Sequence, residues 1–303
     1  LGEIINDKYT YCETVGTSGK DPFLVFEKKK DKQFQGGSLA ITKNLANFVK
    51  KINLISCYPN KKINLKNKNV QLDIIKSDKI KEIIKNRFVD INTNSKLFGI
   101  YSLGNQKLDN YFENKIISKL KSSKKNNFYI ISDYGHNLIT KKISNFISQK
   151  KYNYTLNAQI NSSNRGFHGL FKYKYPEAVI INTSELRYEF KDKSSSLESL
   201  ILKLMKKILP NNIVVTKGSE GAISYNSKEG FSYCPAFQEK IIDKVGAGDS
   251  LLTVFSLFKF VGAPNDLSLF VSSISAAYQV SVVNNESFLD KTNLLKYLQH
   301  ILK

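Results

Sequence analysis

The residues best suited to chemistry are Gly246-Ala247-Gly248-Asp249, within Asp243-Lys244-Val245-Gly246-Ala247-Gly248-Asp249-Ser250. A glycine-rich turn here runs into a stretch that is apolar nearly all round: Leu251, Leu252, Val254, Phe255, Leu257, Phe258, Phe260 and Val261. A helix of that pattern must be buried, and it stops at Gly262 with Pro264 just beyond. Its first turn then lies inside the protein with free amide N–H groups and the positive end of the helix dipole, which suits an anion. Gly246 and Gly248 let the backbone approach an oxyanion closely. Asp249 can take a proton from an attacking hydroxyl while the amides hold a transferring phosphoryl group. The plainer reading is a tight turn with Asp249 as a simple helix N-terminal charge.

Other residues carry weaker signals. Gly36-Gly37-Ser38 precedes the helical pattern Leu39 to Lys50, so its amides could approach a ligand or merely form a hinge. Asp7 and Asp133 read as strand-terminal carboxylates, able to accept from sugar hydroxyls or to cap a turn. Asn182 and Glu185 lie three residues apart after the strand Val179 to Ile181. They could face magnesium-bound water around phosphates, or form an N-cap with a capping-box Glu. Thr216-Lys217-Gly218-Ser219-Glu220-Gly221 could admit a nucleotide or only shape a hairpin. Asn157 to Arg165 is rich in amides, suited to a polyol or to a solvated loop. Gly16 to Asp21 is not a P-loop, because Thr14 occupies the first glycine position and Asp21-Pro22 replaces the hydroxyl residue and helix. No dinucleotide-binding glycine motif follows the first strand.

Short apolar runs alternate with helical patterns, which predicts a parallel sheet with helices on both faces. Phe128 to Ile131 and Ile213 to Val215 are continuous apolar runs, as fully buried parallel strands require. Two segments break the rhythm. Residues of about 8–36, with a turn expected at Lys28 to Lys32, and of about 70–101 offer strands without a good helix. They are expected to form a small β-flap over a site or at a dimer contact. The whole chain, 1–303, reads as one domain.

Composition bounds the function classes. No stretch of about 18 apolar residues suggests a membrane span. Cys12, Cys57 and Cys234 are few, odd in number and far apart, which argues against a disulfide framework and fits a reducing cytoplasm. His136, His168 and His300 are isolated, so spacing implies no metal cluster. The formal net charge is +20, yet only three of the 46 basic residues are arginine. Proteins that read nucleic acid lean on arginine forks. The charge is therefore read as a lysine-rich surface attractive to small anions rather than a nucleic-acid interface, with Lys28 to Lys30 and Lys121 to Lys125 at loop edges.

Taken in order along the chain, Gly36-Gly37, Asp133-Tyr134, Asn182-x-x-Glu185, Thr216-x-Gly218-x-x-Gly221 and Gly246-Ala247-Gly248-Asp249 resemble the PfkB, or ribokinase-like, carbohydrate kinases over nearly the whole length. The opening Leu1 to Tyr9 and the stretch Lys85 to Phe88 look most like the kinase domain of bifunctional heptose-phosphate kinase/nucleotidyltransferases, which would fit a domain excised from a longer chain. The resemblance implies a ribokinase-like three-layer α/β sandwich with a small β-sheet lid. It implies ATP and Mg²⁺ as cofactors, a sugar or sugar-phosphate acceptor, a homodimer through the lid and a fused or neighbouring nucleotidyltransferase domain. Asp249 would be the general base, with Gly246, Ala247 and Gly248 as the anion hole. Asn182 and Glu185 would sit near magnesium and the phosphates, and Thr216, Gly218 and Gly221 would line the nucleotide. Asp7, Gly36 and Gly37 would hold the sugar, while Lys85 and Arg87 are candidates for a phosphate on it.

The sugar side departs from the family pattern. Ala40 stands where many members carry a sugar-binding Asn, and Asn44, one helical turn later, is the substitute candidate. His136-Asn137 replaces a frequent Lys-Gly, and Lys244 a common Thr. These departures motivate a second hypothesis, a non-catalytic member that binds a nucleotide or sugar as a sensor or structural domain.

Overall fold

The computed structural model describes residues 1–104, 108–122, 127–161, 163–237, 241–282 and 289–302. The first half contains β1 (Ile4–Thr17), β2 (Leu24–Gly37), α1 (Ser38–Ala46), β3 (Ile52–Tyr58), β4 (Val70–Lys76), β5 (Ile83–Asp90), β6 (Lys96–Ser102) and α2 (Asn110–Lys121). Next come β7 (Phe128–Asp133), α3 (Lys141–Ile147), β8 (Asn153–Ala158), β9 (Ala178–Asn182), α4 (Thr183–Phe190), α5 (Leu197–Ile208) and β10 (Asn212–Thr216). The chain continues through β11 (Ala222–Asn226), β12 (Gly230–Cys234), α6 (Ala247–Phe260), α7 (Asn265–Val280) and α8 (Lys291–Ile301).

The central sheet has six strands in the order β12-β11-β10-β9-β8-β7. Strands β7 to β10 are parallel, and β11 and β12 add antiparallel hairpin strands at one edge. Alternate residues of β9 show why both faces must be apolar. Val179 and Ile181 pack with Ile116, Ile143, Leu186 and Leu200, from α2 to α5. Ala178 and Ile180 pack with Ile41, Leu252, Phe255 and Leu269, from α1, α6 and α7. The product is the expected three-layer α/β architecture. Strands β3 and β4 form a separate two-stranded parallel sheet. Gly2 stitches it to the main sheet: its N–H donates to Ile55 (3.4 Å), its carbonyl accepts from Ser56 Oγ (2.7 Å), and it bridges to Ser132.

The second four-stranded sheet, β2-β1-β5-β6, is the lid. Three expectations need correction here. Asp7 does not end a strand, because β1 runs on to Thr17. The lysine cluster at Lys28 to Lys32 is not a turn but the middle of β2, and the reversal falls at residues 18–23. The physical reason is that β2 lies at the sheet edge, where exposed lysines guard unpaired backbone groups against further pairing. The third lid strand is Ile83–Asp90, whereas Val70–Lys76, placed in the flap by sequence, pairs with β3. Of the second basic cluster, Lys124 and Lys125 lie outside the described residues. Among the described residues no helix is long and apolar enough to cross a membrane.

The lid returns to the core through Gly36 and Gly37. Gly37 has φ +63°, and a Cβ there would stand 2.5 Å from the Glu3 carbonyl oxygen. Gly37→Ala is expected to cost about 1–3 kcal/mol through backbone strain. Denaturant unfolding of the pure protein measures this, and an unchanged midpoint would remove the constraint.

Candidate active site

Burial of α6 brings its first turn to the carboxyl end of the sheet. Gly246 caps it in the left-handed conformation (φ 87°), and no side chain caps the amides that follow. A cavity of about 390 Å³ opens beside them. It is lined by Asn182 at the end of β9, by Thr216 at the end of β10, by Gly218 and Gly221 just after it, and by Ala247 and Gly248. These six of the residues expected to surround a nucleotide and an anion hole thus share one pocket, whereas Gly246 and Glu185 are not part of its lining. Ile241, Lys244, Ala277 and Val280 also line it.

Asp249 follows Gly248 in the first turn of α6. Tyr134 Oη donates to its Oδ1 at 2.7 Å. Burial pushes the Asp249 carboxyl up to about 6, the nearby charge of Asp7 pushes the same way, and the Tyr134 hydrogen bond and Lys85 oppose both. Burial also raises the Tyr134 phenol well above its ordinary range, so it stays a donor. The backbone of Tyr134 is pinned from two sides. Its N–H donates to Glu3 Oε2 (3.0 Å), and its carbonyl accepts from Asn161 Nδ2 (3.0 Å) and Asn164 Nδ2 (3.2 Å). Glu3 Oε1 also takes the N–H of His136 (3.1 Å). The amide-rich segment is therefore backbone support for the Tyr134 loop, which neither sequence reading anticipated.

The lid contributes the other wall. Asp7 and Tyr9 lie opposite Lys85 and Arg87 in register, all on one face of the sheet. Arg87 forms an ion pair with Asp7, both largely buried. Its guanidinium lies 5.4 Å from the Tyr9 ring centre and 6.0 Å from that of Tyr101. Lys85 Nζ stands 5.9 Å from the centre of the Tyr134 ring, and burial lowers its pKa despite the charges of Asp7 and Asp249. No ion pair engages Lys85 among the described residues. Gly36 belongs here because a Cβ at that position would collide with the Asp7 carboxylate.

Three expected site residues are placed otherwise. Asp133, only 1% exposed, accepts from Tyr173 Oη (2.5 Å) and pairs with Lys172 (2.7 Å), so it anchors the end of β7 instead of facing a sugar. Asn44 is buried in α1, where its oxygen accepts from the Leu289 N–H at 3.1 Å. Glu185 closes a capping box with Asn182. Its oxygens take the N–H groups of Asn182 (3.0 Å) and Ile160 (3.1 Å), and burial pushes its carboxyl up to about 7. That geometry corrects the magnesium reading of Glu185, which supports the strand end. Among the described residues no group of three or more His, Cys, Asp or Glu could hold a metal ion. A magnesium ion here fits only as a hydrated ion carried on phosphate oxygens.

Sequence reasoning gave no role to Glu3, Tyr9, Lys96 or Asp243. Glu3, a carboxylate just before the apolar Ile4-Ile5, carried the one available signal.

The family model described as "pfkB family carbohydrate kinase" matches residues 64–284, more than half of the chain. The chain belongs to the pfkB family of carbohydrate kinases. It is 22% identical over 303 residues to the bifunctional protein HldE of Campylobacter jejuni strain RM1221, covering 95% of this chain. It spans 63% of that relative's length. Among solved structures, Escherichia coli phosphofructokinase-2 in complex with substrates and products matches with TM-score 0.78 at 13% identity, covering 99% of this chain and 97% of that one. Thermotoga maritima ribokinase matches with TM-score 0.76 at 15% identity, covering 98% and 97%. These likenesses establish the ribokinase-like fold.

Tyr134→Phe removes a hydrogen bond that favours the ionised Asp249. Ionisation of Asp249 is lost as pH falls through about 6. In the variant that acid limb should move upward by about one pH unit or more. The kcat/KM profile against pH checks it, and an unmoved limb would detach Tyr134 from the base.

Proposed function

We propose that this pfkB-family kinase transfers the γ-phosphate of ATP to a hydroxyl of a sugar phosphate, with Asp249 as general base. One observation carries the reading. Asp249 stands where the uncapped amides of α6, beside the cavity, meet the lid face that bears Lys85 and Arg87. ATP would occupy the cavity between Thr216 and Ala277, its γ-phosphate facing the amides of Ala247 and Gly248. Magnesium would enter with the nucleotide, held by phosphates and water near Asn182. It would neutralise charge developing on the phosphates.

The acceptor hydroxyl would lie against Asp249, roughly in line with the transferring group. Asp249 takes its proton as the oxygen attacks, and the amides hold the equatorial oxygens. Asp7, beside Gly36 and Gly37, accepts from acceptor hydroxyls. Lys85 and Arg87 put two cations on the acceptor side, which favours a phosphorylated sugar over a neutral one. A heptose phosphate is the specific candidate, supported by the likeness to HldE. The product would then suit a nucleotidyltransferase acting next, fused or separate, in a cytoplasmic route to an activated sugar.

Asp249→Asn is expected to retain Mg·ADP binding and to lose about 10²–10⁴-fold in kcat. The assay is magnesium-dependent ATP consumption across a panel of sugars and sugar phosphates. Near-normal turnover by the variant on an identified acceptor would sink the mechanism.

A second copy of this chain is the proposed partner for the outer face of the lid. There Phe88 and Phe98 stack at 4.4 Å, and Phe98 and Ile100 are 44% and 61% exposed on the face opposite Arg87. Escherichia coli phosphofructokinase-2 has been described in a tetrameric inhibited form. Light scattering should find a dimer that Ile100→Lys converts to monomer. A monomeric parent protein would refute the pairing.

A further inference from the structure

We propose that Asp243 is a positioning residue that locks the lid to the phosphate-binding turn, so that lid closure and the shape of the anion hole are set together. The proposal deepens the kinase reading above and rests on it for its catalytic consequence.

Three donors converge on this one carboxylate. Tyr9 Oη, from β1, donates to Oδ2 at 2.8 Å. Lys96 Nζ, from β6, pairs with Oδ1 at 2.6 Å. The backbone N–H of Val245 donates to the same Oδ1 at 3.1 Å. Two donors belong to the lid. The third belongs to the residue immediately before Gly246, whose left-handed backbone opens the turn into α6. The Val245 peptide therefore orients the amides that would face the transferring phosphoryl group. Among the described residues, a lid displaced from Asp243 leaves that carboxylate without two of its three donors, with the Val245 N–H remaining.

The lid side of this lock reaches the acceptor. Tyr9 carries Arg87 over its ring, and Arg87 holds Asp7. A ligand that settles Asp7 and Arg87 thereby settles Tyr9, one hydrogen bond away from Asp243. The ring alone does not account for a tyrosine at this position. Its edge-on packing against Phe34 (5.8 Å, 88°) would be served equally by phenylalanine, so the hydroxyl is what Asp243 requires. The lock is also built to open. The Asp243 side chain is 5% exposed, but Lys96 is 43% exposed and keeps its hydration within reach. An ion pair with one exposed partner can be broken and remade as ligands enter and leave.

The test uses the full chain with Tyr9→Phe, Lys96→Met, Asp243→Asn, and the Tyr9→Phe/Asp243→Asn double variant. Thermal unfolding first verifies that each is folded. On an acceptor found in the panel, each single variant should lower kcat by about 5–50-fold, with the double variant no worse than the worse single. Affinity for Mg·ADP should change by less than about 2-fold, since no lid residue lines the cavity. Wild-type kcat in Tyr9→Phe, or losses that multiply in the double variant, would overturn the lock.

Hydrogen exchange separates failure of the lock from failure of the kinase reading, because it needs no substrate. Tyr9→Phe should speed exchange both in β6 and in the Val245 to Gly248 turn. Faster exchange confined to the lid would overturn the lock even if no acceptor were ever found. Coupled exchange without turnover of any panel member would support the lock and count against the kinase reading.

Discussion

The proposed function depends on one constraint: a half-buried carboxylate would have to remain a competent proton acceptor. Asp249 faces this at the first turn of α6, where burial and the charge of Asp7 disfavour ionisation. The remedies are local. The Tyr134 hydroxyl and the Lys85 ammonium both favour the charged form, and the positive end of α6 adds to them. Balanced this way, the carboxyl titrates near 6, close to the range in which a base is both ionised and worth protonating. Much of the surrounding structure keeps this balance in place. Glu3, Asn161 and Asn164 fix the Tyr134 backbone, and the buried amide and carboxylate groups spent on that loop are satisfied by it in turn.

The lid repeats the logic with opposite charge. Lys85 and Arg87 are largely buried cations, and among the described residues only Arg87 has a carboxylate in direct contact. A cluster of Asp7, Arg87, Lys85 and Asp249 without ligand is close to neutral, with its hydrogen-bonding capacity partly turned inward. An anionic acceptor can exchange these internal contacts for its own, which limits the desolvation cost of binding. Most of the chain's surplus of lysine plays no such part. Lys28, Lys29 and Lys30 sit in the edge strand β2, where Lys28 pairs with Asp31 and Lys29 with Glu13 and Glu27 on the surface.

How much of this was legible depended on whether geometry is local. The turn at Gly246 to Asp249, the buried α6, the parallel strands and the capping residues at Asn182 and Glu185 all follow from residues close in sequence. Their readings differed from the structure chiefly in choice between local alternatives, as when Glu185 closes its capping box instead of meeting magnesium. The flap failed differently. Its register joins residues dozens of positions apart, so periodicity could not tell that Ile83–Asp90, and not Val70–Lys76, completes it. Lysines at Lys28 to Lys32 resembled a turn because edge strands and turns are both solvated. Asp133 and Asn44 looked available because nothing nearby in sequence reveals Tyr173, Lys172 or Leu289 as their partners. The clamp of Asn161 and Asn164 on Tyr134 was hidden for the same reason.

The uneven agreement with the family pattern has a physical origin. On the proposed function the nucleotide would meet backbone: the amides of α6, the carboxyl ends of β9 and β10, and the turn from Thr216 to Gly221. Such a site survives extensive substitution provided the sheet and α6 keep their places, which accounts for a shared fold at 13–15% identity. The acceptor side is made of side chains, and each is held by others. Ala40 packs with no exposed surface in α1, so it has no polar group to offer a sugar. His136 is spent on the Glu3 loop through its backbone, and burial beside Lys85 pushes its imidazole down to about 4, leaving it neutral. On the proposed function, charge for the acceptor would then come from the lid, through Lys85 and Arg87. Acceptor choice would thus reside in the side chains of the lid, and phosphoryl transfer in the backbone turn that opens α6.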